Sequence, residues 1–171
     1  DHAPDTTRIL ELNDQGKTAM YVGVDGRAMG IVAVADTIRD DAPAAIRSLH
    51  DKGVRVIMAT GDAQRVARNV AAELGVDEVR AELMPEDKLT IVKDLQAQGR
   101  TVAMIGDGVN DTPALAQADI GVAMGAAGSP AAIETADIAL MADKLPRLPY
   151  ALGLAQRTVR TMRANLSLIH I

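Results

Sequence analysis

The chain has 171 residues, a formal net charge of −5 and 48% hydrophobic residues, with two tyrosines and no phenylalanine, tryptophan or cysteine; its length suits one domain, or one domain with part of another. Without cysteine there is no disulfide and no thiolate metal site or nucleophile in this chain, and the acidic balance, short of both basic runs and aromatic rings, speaks against a nucleic-acid partner. No stretch of about 18 apolar residues reads as a membrane span, and both ends of the chain look like cuts in something longer.

Residues 1–7 show no periodicity and are expected to be loose. Thr18–Val24 and Arg27–Val34 read as two strands joined at Asp25-Gly26, a strong hairpin signal. From Asp36 the pattern changes. Residues 40–52 predict a helix with Pro43 in its first turn and Gly53 as its stop. A buried strand over 54–59 then ends at Thr60-Gly-Asp62. A helix over 63–74 puts Val66, Val70 and Leu74 on one face, and a short strand follows over 78–81. A helix over 85–98 turns Leu89, Val92 and Leu95 inward, and a strand over 101–105 leads into Gly106-Asp-Gly-Val-Asn-Asp111. Beyond it come a helix over Thr112–Gln117, a strand over 119–123, a helix over 129–135, a strand over 138–141 and a long helix over 145–168. Strands alternating with helices across short loops predict an α/β fold: a doubly wound parallel sheet with a short antiparallel ribbon before it. The methionines read as core filler.

Ligands in such sheets bind at the carboxyl ends of the strands, where Thr60-Gly-Asp62 and the Gly106 loop both fall. Gly106 and Gly108 bracket Asp107, letting the backbone turn sharply and approach a ligand closely. Asp107, Asp111 and the neighbouring Asn110 suit a hard cation such as Mg²⁺, which takes oxygen ligands and keeps water or phosphate oxygens in its shell. The Thr60 hydroxyl and the N–H groups of Gly61 and Asp62 can cradle phosphate oxygens. Taken alone, Thr-Gly-Asp is an ordinary strand-to-helix turn with Asp62 as the helix cap. Lys88, early in its helix, can reach back as a point charge on phosphate. Hydroxyl, ammonium and Mg²⁺ together can neutralise a phosphoryl group in transfer. No residue clearly supplies the acceptor; Asp36 lacks a glycine turn behind it and reads as a hinge or cap. His2, His50 and His170 are too scattered for a metal site.

Thr60-Gly-Asp62, Pro85-Glu-Asp-Lys88 and Gly106-Asp-Gly-Val-Asn-Asp-Thr-Pro-Ala-Leu115 resemble the second, third and fourth motifs of the haloacid-dehalogenase (HAD) superfamily, in the version found in P-type ATPases. Ala114-Leu-Ala-Gln-Ala-Asp119 and Gly121-Val-Ala-Met-Gly125 continue the likeness. Met124-Gly-Ala-Ala-Gly128, Glu134-Thr-Ala-Asp-Ile-Ala-Leu-Met141 and Leu145-Pro146 look most like heavy-metal pumps for Zn²⁺, Cd²⁺ and Pb²⁺, with cobalt-type relatives next and copper-type third.

The resemblance implies an ATP-driven pump working through an aspartyl-phosphate. Thr60 and Gly61, with Asp62 beside them, would contact the phosphoryl group and Lys88 would neutralise it. Asp107 and Asp111 would hold Mg²⁺, and Asn110 would orient the site. Residues 1–35 would be the tail of a nucleotide-binding domain, 36–144 the HAD-like phosphorylation domain, and 145–171 a stalk helix leading to a membrane segment. Arg157, Arg160 and Arg163 suit a cytoplasmic helix near a cell membrane. The implied partners are the rest of the pump (nucleotide-binding, actuator and membrane domains) and the transported divalent metal.

The family's Asp-Lys-Thr-Gly-Thr motif is absent. The HAD-like, Rossmannoid sheet should therefore lack its first, nucleophile-bearing strand. In the family that strand lies between those matching 54–59 and 101–105, so a gap or a collapse is expected there, with a marginal fold and no complete ATPase cycle. A soluble HAD phosphatase and a non-catalytic interaction module are the competing readings.

Overall fold

Chain order is α1 (Thr6–Asp14), β1 (Thr18–Val24), β2 (Arg27–Val34), α2 (Ala42–His50), β3 (Ile57–Ala59), α3 (Gln64–Leu74), β4 (Glu78–Arg80), α4 (Pro85–Ala97), β5 (Ala103–Gly106), α5 (Thr112–Gln117), β6 (Ile120–Met124), α6 (Pro130–Thr135), β7 (Ile138–Leu140) and α7 (Arg147–Leu168). This is a computed structural model, and it describes residues 6–34, 38–125, 129–141 and 144–168. Asp36, Thr37, His2, His170 and residues 126–128 lie outside the described residues. The chain divides into two units, Asp1–Asp40 with Val56–Leu83 and Asp41–Arg55 with Met84–Ile171.

In the first unit β1 and β2 form the expected antiparallel ribbon, with a register shift between Val22 and Gly23. Asp25 and Gly26 both take positive φ, 48° and 76°, which is what a two-residue turn matched to strand twist requires. The ribbon leaves Met20, Val24, Met29 and Val34 about half exposed or more. The second pair, β3–β4, is parallel and runs in register from Ile57 opposite Glu78 to Ala59 opposite Arg80. On α3 the buried positions are Ala67 and Ala71, with Val66, Val70 and Leu74 half-buried around them. The small side chains take the closest approach, and the predicted stripe forms its shoulder. Helix α1 was not expected, because it buries no residue and carries no apolar stripe to read. It is tied to α3 through Asp14, whose carboxylate pairs with Arg65 and whose carbonyl accepts from Asn69 Nδ2 at 3.3 Å, and to β1 through Asn13, whose Oδ1 accepts from Ala19 N–H at 3.3 Å.

In the second unit β5, β6 and β7 form a three-stranded parallel sheet in that order. Leu115, Ala123 and Ala132 are its fully buried centre, with Met104, Ile133 and Ala136 packed against them. Val92 is the buried residue of α4, with Leu89 and Leu95 half-buried beside it. Ser129 caps α6, its hydroxyl accepting from Ala132 N–H at 3.1 Å. The core is aliphatic and small, and Met104 is the one methionine in it; Met20, Met29, Met84, Met141 and Met162 are exposed, so the methionines are mostly surface rather than filler.

The parallel strands are shorter than the sequence pattern suggests. Val54 N–H bonds back to Leu49 O at the end of α2, and Val56 N–H goes to the Asp77 carboxylate, so the ladder starts only at Ile57. No ladder joins β3 to β5 among the described residues; each belongs to its own sheet.

Candidate phosphoryl and magnesium site

The Thr60 loop is built entirely within the first unit. Thr60 N–H continues the ladder to Arg80 O at 2.9 Å, placing the residue at the end of β3. Its hydroxyl donates to Asp62 Oδ2 at 2.6 Å and accepts from Asp62 N–H at 3.1 Å. Asp62 thus closes the turn rather than capping α3. The helix cap is Ala63, which makes no side-chain bond, and Glu82 accepts from Gln64 N–H at 3.4 Å instead. Glu82 also donates its backbone N–H to Asp62 O at 2.9 Å and sits at φ 57°, in the left-handed region. The sequence gives no sign of this support, since any glutamate in a loop looks alike. Gly61 lies so near the Leu83 carbonyl that a Cβ would come within 3.2 Å of it.

The Gly106 loop belongs to the second unit. β5 ends at Gly106, and Val109–Asp111 form one 3-10 turn that runs into α5. Asp111 is the buried charged residue here, 7% exposed. A Cβ on Gly106 would stand 2.6 Å from Asp111 Cβ and 2.7 Å from its Oδ2, so the carboxyl group occupies the space that only glycine leaves. Lys88 reaches it from the first turns of α4 and donates from Nζ to Asp111 Oδ1 at 2.7 Å. The two side chains retain 20% and 11% of their exposure, so the pair is largely out of water. The start of α4 is set by Pro85 and by Asp87, whose carboxylate accepts Met84 N–H at 2.8 Å. Asp107 and Asn110 are exposed, and Asp107 O accepts from Ser129 N–H at 3.0 Å.

Lys88, Asp107, Asn110 and Asp111 therefore lie around one loop, while Thr60, Gly61 and Asp62 form a second loop in the other unit. No group of three or more carboxylates or histidines is placed to hold a metal among the described residues. That fits Mg²⁺, which commonly uses one or two carboxylates and completes its shell with water and phosphate oxygens. The exposed Asp107 and the buried Asp111 in its glycine cradle are a donor set of that kind.

The haloacid dehalogenase-like hydrolase family matches residues 3–119, and the chain belongs to it. The P-type ATPase likeness read from the motifs is also borne out. The chain is 48% identical over 161 residues to a probable cadmium-transporting ATPase of Staphylococcus aureus, covering 94% of this chain and 22% of that protein. It is 48% identical over 157 residues to a probable copper-exporting P-type ATPase V of Mycobacterium tuberculosis, covering 92% and 20%. The crystal structure of a zinc-transporting PIB-type ATPase in the E2.Pi state superposes with a TM-score of 0.83 at 41% identity, over 96% of this chain and 27% of that one. The chain thus spans about a fifth of the length of these sequence relatives. No helix among the described residues is long and apolar enough to cross a membrane.

Proposed function

We propose that this chain is the cytoplasmic phosphoryl-handling part of an ATP-driven heavy-metal cation pump in a cell membrane, working through an aspartyl-phosphate whose aspartate is not in this sequence. The observation that supports this most is the shielded Lys88–Asp111 pair in the Gly-Asp-Gly loop. Lys88 keeps two further N–H bonds to give to a phosphoryl oxygen while Asp111 holds its position. Gly61 offers a backbone N–H to the same kind of anion, the Thr60 hydroxyl and the Asp62 N–H would join it by giving up their mutual bonds, and Asn110 supplies an orienting amide. Asp107 and Asp111 would hold Mg²⁺, which when bound supplies charge neutralisation to the phosphate oxygens of ATP and of the transferred group.

In this reading residues 1–35 are the tail of a nucleotide-binding domain, which accords with a ribbon apolar and exposed along its length. Residues 36–144 are the phosphorylation domain and 145–171 a stalk. The partners are the nucleotide-binding, actuator and membrane domains of the pump. The cargo is Zn²⁺, Cd²⁺ or Pb²⁺, moved outward. Relatives named for cadmium and for copper are equally similar here. Cargo choice is then made elsewhere in the pump, and this region is common to several metals.

The test is calorimetric Mg²⁺ binding in the presence of beryllofluoride, on this chain mixed with a peptide carrying the Asp-Lys-Thr-Gly-Thr strand. Binding that needs the peptide and vanishes in Asp107→Asn is expected. No binding by a demonstrably folded sample would overturn the site.

A further inference from the structure

We propose that the cleft between α2 and α7 is a second anion site, one that takes a phosphate group away from the phosphoryl-transfer loops. The cleft has a volume of about 330 Å³, near the lower end of small-ligand sites. Its lining includes two cations, Lys52 and Arg157, two hydroxyls, Ser48 and Tyr150, and no carboxylate among the described residues. Ala45 and Pro149 close its apolar floor, and both are buried.

Lys52 is the residue that asks for a ligand. It is half-buried, and its ammonium lies along Gly153 of α7, where a Cβ would stand 3.5 Å from Nζ. A half-buried lysine commonly lies beside a carboxylate, yet Lys52 has no carboxylate partner among the described residues. The end of α2 does not serve instead. Its carbonyls at Arg47, Leu49 and His50 are already taken by the backbone N–H groups of Asp51, Lys52, Gly53 and Val54. Arg157 stands one turn beyond Gly153 on α7, a helix of 22 residues that carries four arginines and no acidic residue. Two cations with no carboxylate partner among the described residues and two hydroxyls around one cleft match an anion with several acceptor oxygens, and a phosphate monoester or diester has that form. Inorganic phosphate, a soluble phosphoester and the headgroup of an acidic phospholipid share this chemistry. The site does not depend on the pump assignment, because none of its residues belongs to the Thr60 or Gly106 loops.

The experiment is amide NMR on the whole chain in Mg²⁺-free buffer, titrated with inorganic phosphate and with glycerol phosphate at constant ionic strength. Saturating shifts at residues around Ser48, Lys52 and Gly153 are expected. Lys52→Gln and Arg157→Gln should each weaken them roughly tenfold, as loss of one charge-assisted bond does. Gly153→Leu keeps both charges, favours the helix and fills the cleft, and it should abolish them. Lys88→Met should leave them unchanged, which separates this site from the phosphoryl loop. A second arm measures flotation with phosphatidylcholine vesicles with and without phosphatidic acid. Retention by the acidic vesicles that Lys52→Gln abolishes assigns a lipid headgroup; phosphate shifts without retention assign a soluble phosphate. Cleft amides that respond to neither ligand, or respond equally to added chloride or in the Lys52 and Arg157 variants, overturn the proposal.

Discussion

Aspartates gather at both ends of the parallel strands and do opposite work there. At the amino ends Asp77, Asp119 and Asp137 each stand one residue before a strand. Each turns a carboxylate sideways onto a backbone N–H at the start of the neighbouring strand: Val56 at 2.7 Å, Val102 at 2.8 Å and Gly121 at 2.8 Å. At the carboxyl ends Asp111 takes a lysine ammonium, and the Asp107 carboxylate has no hydrogen-bond partner among the described residues. Three-stranded and two-stranded parallel sheets this short have few ladder bonds, so a side-chain acceptor at each helix-to-strand junction replaces the bonds that the ladder lacks. A carboxylate engaged by a backbone amide is a fastening. A carboxylate held by a lysine ammonium leaves lone pairs for a ligand, and one left open in a glycine-bracketed loop is wholly available to it.

The sharpest way to break this contrast is Asp111→Ala. It strands the Lys88 ammonium in a largely dry site, and a loss of about 3 kcal/mol is expected from equilibrium urea denaturation. Adding Lys88→Met should restore most of it, because the uncompensated charge is then gone. Asp107→Asn, on the same loop but exposed, should stay within about 0.5 kcal/mol of the parent while losing all Mg²⁺ response. A large destabilisation by Asp107→Asn would mean that both aspartates are structural and would erase the distinction.

Gly106→Ala comes next. Its methyl would meet Asp111 Cβ at 2.6 Å, and the carboxylate would have to leave its cradle, at a cost of about 1–3 kcal/mol. At the other end of the strands, Asp137→Ala removes one bond to the part-buried Gly121 N–H and should cost about 1 kcal/mol, with Mg²⁺ binding untouched. Calorimetry and denaturation on the same pair of variants separate the two kinds of loss.

The alternation of strands and helices was legible because apolar runs end at glycines and helices begin at proline or serine. Gly53 stops its helix with φ of 74°, as its position foretold, and Gly75 does the same for α3 with φ of 73°. The Gly106 loop was legible as a candidate cation site because its glycines and carboxylates lie within six residues. The partnership of Lys88 with Asp111 was legible only as a grouping, since 23 residues separate them and a packed α4 brings them together. Of the three strand-fastening aspartates, Asp119 and Asp137 were visible as letters in the motifs and Asp77 was not, and none was visible as a device, because each bond spans 16 to 21 residues. Helix α1 could not be read from periodicity at all. The bonds that tie it down, from Asp14 to Arg65 and Asn69 and from Asn13 to Ala19, join residues that no periodicity links.

The smallest expected effect tests the fastening directly through its protonation. Val102 N–H, and after it the Gln96 side chain, hold the Asp119 carboxyl below its ordinary value of 3.8. The folded state therefore favours the charged form. The unfolded chain takes up the proton first as pH falls through 3.8, so the contribution of Asp119 is whole above that value and is lost below it. Asp119→Asn keeps an oxygen acceptor and removes the titration. The difference in urea midpoint between parent and variant should be constant near neutrality and shrink as the pH drops below 3.8. Using the difference cancels the acid unfolding driven by other carboxylates, which both proteins share. A difference that grows on acidification would show that Asp119 does not grip Val102 as a carboxylate, and that the amino ends of these strands are held by packing alone.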